Sequence, residues 1–70
     1  MNLTPQEEAE RLIEQYYNST HNLYVSTQCA IQDVQNTIDV LREYADDSKP
    51  IAVEWLYRKK VLTILKDKLK

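Results

Sequence analysis

Few residues in this chain could do chemistry, and their spacing does not assemble them. Cys29 is the single cysteine and His21 the single histidine. One of each cannot supply the ligand set of a Cys/His zinc site, and a lone cysteine closes no intrachain disulfide. The neighbours of Cys29 (Ser26, Gln28, Ala30, Asp33) include no base that would lower a thiol pKa, so an inert, partly buried thiol is expected. His21 stands in the polar run Asn18-Ser19-Thr20-His21-Asn22, where a surface or helix-capping role is expected. Glu7, Glu10 and Glu14 share one helical face, and Asp39, Glu43 and Asp46 another. Paired acids that hold metals in helical bundles point inward, whereas these faces read as solvated. The chain has no glycine at all, and phosphate-cradling loops and tight turns depend on it. No catalytic residue, cofactor or metal ligand is assigned, and the expected activity is binding rather than catalysis.

The aromatic residues are more informative. Tyr16, Tyr17, Tyr24, Tyr44, Tyr57 and Trp55 make up the whole set, without a phenylalanine. Each carries a polar handle, the kind of ring enriched where one end stays wet, as at interfaces. Tyr57 opens the run Tyr57-Arg58-Lys59-Lys60. The candidate interaction surface is Tyr17, Tyr24, Tyr44, Trp55, Tyr57, Arg58, Lys59 and Lys60.

These side chains must be positioned by helices. On a clock of about 100° per residue, one uncharged stripe keeps phase through Ala9, Leu12, Ile13, Tyr16, Thr20, Leu23, Tyr24, Thr27, Ala30, Ile31, Val34, Ile38, Leu41 and Ala45. Thr4-Pro5-Gln6-Glu7 fits a capping box with proline at the first helical position. The run Asn18–Asn22 is mediocre inside helices and suggests a turn, with Ser19, Thr20 or Asn22 capping a second helix. The unbroken phase suggests instead one continuous helix of about 60 Å; both readings stand at this level. Asp46-Asp47-Ser48-Lys49-Pro50 ends the second segment, with Ser48 or Lys49 as cap of the last helix. That helix carries two apolar ridges, Ile51-Trp55-Leu62-Leu65-Leu69 and Val53-Tyr57-Val61-Ile64. This is wider than packing against one neighbour needs, so a second partner is implied, either the first helix folding back or another protomer. The expected fold is all-α and a single domain over 1–70: two long helical arms, or three helices at about 5–17, 22–46 and 51–69. A chain of 70 residues buries little core alone, so self-association is expected.

Charge is segregated. Residues 1–47 carry nine acids against two arginines, net −7, and residues 48–70 seven bases against two acids, net +5. Either the basic last helix lies on the acidic helices of the same or another copy, or one face meets a partner. An acidic face would suit a basic partner or mimic nucleic acid, and a basic helix would bind phosphates with strong salt dependence. No basic leader with an apolar run and no apolar stretch of membrane-spanning length is present. A soluble cytoplasmic protein without membrane contact is expected.

The segment Gln28-Cys29-Ala30-Ile31, continuing to Val34 and Ile38, follows Ala9-Glu10-Arg11-Leu12-Ile13 with Tyr16-Tyr17 and precedes Val61 and Leu65. In this the chain resembles small uncharacterised helical proteins encoded by phages and prophages. Such proteins often carry an insertion before the Gln-Cys-Ala helix, which favours a break near Asn18–Asn22. This chain departs from them in its longer Ile38–Val61 segment and its more basic end. The resemblance supplies no functional residues. It implies an accessory factor, such as an inhibitor of host defence of the anti-CRISPR kind or a sponge for signalling nucleotides. With the small size, the lack of a catalytic set, the segregated charge and the surplus apolar area, stoichiometric binding to a defence nuclease or its RNA complex is expected. The readings from another class are a nucleic-acid or nucleotide binder using the basic last helix, and a structural helical oligomer.

Overall fold

The structure, a computed structural model, describes residues 3–44 and 46–69. Helix α1 spans Pro5–Thr20, α2 Leu23–Arg42 and α3 Lys49–Asp67, with no strand among the described residues. Each helix packs against both others, and the short connections make sequence neighbours antiparallel. The three-helix alternative is the one observed, as an up-down-up bundle with extents of 40 × 23 × 22 Å.

Thr4 caps α1 as the sequence predicts. Its hydroxyl accepts from the Glu7 N–H at 3.2 Å, and the Glu7 carboxylate accepts from the Thr4 N–H at 3.0 Å. That backbone hydrogen bond holds the Glu7 carboxyl below its usual pKa, with the Thr4 hydroxyl adding to the effect.

The continuous-helix alternative is overturned at His21 and Asn22. His21 takes the left-handed conformation (φ 51°, ψ 25°), and its N–H donates to the Tyr17 carbonyl at 2.8 Å. This is the left-handed helix stop usually given to glycine, filled here by a side chain that tolerates it better than most. Asn22 then caps α2, its side-chain oxygen accepting from the Val25 N–H at 3.0 Å. Around this corner the Thr20 hydroxyl meets the Ser26 hydroxyl and bonds the Asn22 carbonyl at 3.2 Å. Ser26 donates to the same carbonyl at 2.7 Å and its oxygen faces the Thr20 hydroxyl, so its fully buried hydroxyl is satisfied. The polar run is therefore the hydrogen-bonding material of the turn.

Other boundaries shift by a few residues. Helix α1 runs three residues past the expected Tyr17 to reach the His21 cap. Helix α2 stops at Arg42 rather than 46, where Glu43 and Tyr44 donate to Val40 and Leu41 at 3.3 and 3.0 Å and tighten the last turn. Helix α3 opens at Lys49, two residues before Ile51, with Pro50 in its first turn and Ser48 as an extended cap lacking a side-chain hydrogen bond. Its regular span closes at Asp67 rather than 69. Ala45, the last member of the predicted stripe, lies outside the described residues.

The core consists of Ala9, Leu12 and Ile13 from α1, Ala30, Val34 and Ile38 from α2, and Val61 and Leu65 from α3. Tyr16, Ile31, Trp55, Tyr57, Leu62 and Ile64 pack around it, half-buried. Within the chain, the second partner implied by the two ridges of α3 is α1 folded back beside α2. Not all of the apolar pattern is covered: Leu23 of the stripe and Val53 of the second α3 ridge are exposed, as is Tyr24, which the sequence also offers for the interaction surface.

Leu65 is fully buried and Leu56 on the same helix is 53% exposed. Leu65→Ala is expected to cost about 2–5 kcal/mol in urea unfolding, while Leu56→Ala stays within about 0.5 kcal/mol. At the corner, His21→Gly is expected to raise stability by up to about 1 kcal/mol, because it removes the left-handed penalty. His21→Val should lower it, since a β-branched residue fits that conformation poorly.

Candidate functional site

The end of the bundle where α1 meets α2 carries an open cleft of about 640 Å³. Ile13 and Tyr17 of α1 and Leu23 and Thr27 of α2 line it, with Glu10 and Glu14 on the α1 rim and Lys68, just past α3, on the far wall. It exists because the apolar stripe continues to the corner while no helix covers its last turn. Thr27 and Ile13 are buried, but Tyr17 is 43% and Leu23 64% exposed. Tyr24, next to Leu23, is 58% exposed. Gln6 donates to the Glu10 carboxylate at 3.0 Å across one helical turn. Neither Glu10, Glu14 nor Lys68 is in an ion pair among the described residues.

The eight side chains proposed from sequence do not form one surface. Tyr17 lines the cleft, and Tyr24 is exposed one residue beyond Leu23 of the cleft wall. Tyr44, also exposed, is twenty residues further along and therefore at the opposite end, about 30 Å away. Trp55 and Tyr57 are half-buried against the core. The Tyr57 hydroxyl donates to the Leu3 carbonyl at 2.7 Å, pinning α3 to the entry of α1. The Trp55 ring carries the Lys59 ammonium 4.5 Å from its centre, a cation–π contact, and its buried indole N–H has no hydrogen-bond partner among the described residues.

Arg58 turns inward. Its Nε donates to Glu54 at 2.8 Å, and its guanidinium stands 3.9 Å from Glu8. Glu8, which also pairs with Arg11, is 7% exposed and was not among the residues the sequence singled out. The inner face of α1 thus does hold one acid, at the margin of the stripe, neutralised by arginines on either side. Arg58 and Lys59 are both engaged within the chain; Lys60 is exposed. Cys29 is half-buried on α2 and His21 is exposed at the corner. No group of three or more His, Cys, Asp or Glu residues able to hold a metal ion occurs among the described residues, and no described helix is long and apolar enough to cross a membrane.

Two phenols are tied into the fold. Tyr16 donates to the Asp33 carboxylate at 3.0 Å, linking α1 to α2. This hydrogen bond, reinforced by burial and the Asp33 charge, raises its pKa above the ordinary tyrosine value. Tyr57 is raised chiefly by burial and then by Glu8. A raised folded-state pKa stabilises the fold fully below the unfolded value near 10 and is lost as pH rises through the raised value. Wild type is therefore expected to exceed Tyr16→Phe/Tyr57→Phe in urea stability at pH 7. The difference should shrink progressively above about pH 10.

Compared with known protein families, curated proteins and solved structures, the chain matches none.

Proposed function

We propose that this chain is a non-enzymatic interaction protein that binds a protein partner stoichiometrically through the cleft end of the bundle. The observation that carries this reading is the cleft itself. An apolar floor, two exposed lining residues of interface type (Tyr17 and Leu23, with the exposed Tyr24 next to Leu23 in the chain) and a rim of charges without ion-pair partners among the described residues make it up. Aromatic and aliphatic anchors in a concave site with polar edges are the usual makings of a binding hot spot. Two of the bases on which a phosphate-binding last helix would rely, Arg58 and Lys59, are occupied by Glu8, Glu54 and Trp55, which favours the protein-binding reading over the nucleic-acid one. With the resemblance to phage accessory proteins, the reading extends to occlusion of a bacterial defence nuclease or its RNA complex.

The test is affinity capture from bacterial lysate with wild type and Leu23→Asp as parallel baits. Aspartate suits the first turn of α2 and Leu23 is exposed, so the variant should fold, which circular dichroism checks. A protein held near equimolar ratio by wild type, depleted at least tenfold with Leu23→Asp and insensitive to nuclease treatment, is the expected result. Capture of nucleic acid alone, or inhibition of a target in large excess by a small amount of this chain, would overturn it.

A further inference from the structure

The partner's chemistry can be narrowed, on the premise that the cleft is the binding site. We infer that the cleft receives a one-sidedly basic amphipathic helix, inserting aliphatic side chains over Ile13 and Leu23 and laying its lysines or arginines along Glu10 and Glu14.

The argument rests on charge and shape. Glu10 and Glu14 are one helical turn apart on the α1 rim, without an ion-pair partner among the described residues. The exposed Glu7 extends the acidic line toward the start of α1. Cations spaced by one turn on a bound helix would meet successive carboxylates of that line. The opposite wall carries Lys68, so cations on both flanks of the ligand would be repelled on one side, and a helix basic along a single flank is selected. About 640 Å³ of open space takes a few aliphatic side chains rather than a folded domain. An amphipathic helix delivers such anchors at i, i+3 and i+4. A second copy packed cleft to cleft about a two-fold axis is a poorer fit. The bundle is only 23 × 22 Å in cross-section, and end-to-end contact falls well short of the roughly 800 Å² per partner of a stable interface.

The test uses two helical peptides with leucines at i, i+3, i+4 and i+7, one with lysines along a single flank and one with glutamates in their place. Fluorescence anisotropy is measured at low and at physiological salt against wild type, Leu23→Asp and Glu10→Lys/Glu14→Lys. The lysine peptide should bind wild type at least tenfold more tightly than the glutamate peptide and weaken with salt. It should lose at least tenfold with Leu23→Asp, and the preference should reverse with the double charge change. Equal binding of both peptides, binding indifferent to Leu23→Asp, or no binding at all overturns the inference. So does a dimer in light scattering that Leu23→Asp dissolves, because a second copy would then fill the cleft. Should the peptides fail while a lysate protein still depends on Leu23, the basic helix is wrong and the protein-binding reading stands.

Discussion

Everything in this fold depends on the corner at His21 and Asn22. A helix leaving α1 in phase would carry the apolar stripe straight out into solvent, and α3 would be too short to cover it. The corner turns the stripe back on itself, so that Ala9, Leu12 and Ile13 face Ala30, Val34 and Ile38 with Val61 and Leu65 closing the third side. In a chain without glycine, the left-handed residue such a reversal uses falls to His21. The cost is offset locally, because the Tyr17 carbonyl, the Val25 N–H and the Ser26 hydroxyl all find partners within the turn.

The corner also explains why periodicity alone could not decide between one helix and two. Antiparallel helices joined by a tight two-residue link present the same side of the chain to a common third helix. The apolar clock can therefore run on through a break, and phase continuity is no evidence of helix continuity. The decisive signal was chemical: five polar residues in a row, several able to cap, form a poor helix interior and a good corner. The same local logic made the start of α1 legible, since Thr4 and Glu7 satisfy each other within one turn. It also placed the last helix, through Pro50 in its first turn and the extended cap Ser48 before Lys49.

What the sequence did not disclose are the facts that depend on register between helices. Glu8 sits beside Ala9 at the margin of the stripe, and only the placement of α3 decides that Arg58 reaches it. The two ridges of α3 signalled a second contact without saying which residues would be left out, and Val53 is 67% exposed while Val61, on the same ridge, is fully buried. Leu23 belongs to the stripe by phase and is nevertheless exposed, because phase reports which way a side chain faces, not whether anything lies opposite. Of the proposed surface, Tyr17 lines the cleft and Tyr24 is exposed at the start of α2. Tyr44, Trp55 and Tyr57 were grouped with them by type alone, and the bundle separates them.

Charge segregation acquires a different meaning once the helices are in place. By sequence alone, one reading has the basic final segment neutralise the acidic remainder. Between helices this happens where Arg58 approaches Glu8 at 3.9 Å. The other arginine contacts, Arg11 to Glu8 and Arg58 to Glu54, lie within single helices and do nothing to cancel α1 against α3. The acids Glu10 and Glu14 stand on the α1 rim of the part of the apolar stripe that α3 does not cover, with Lys68 opposite. Interhelical neutralisation at Glu8 and Arg58 leaves this α1 rim acidic. An exposed apolar face with unlike charges on its two edges is selective in a way that a neutral one is not. The uncovered turn at Leu23 and the unneutralised carboxylates above it are two consequences of the same register of α3 against α1.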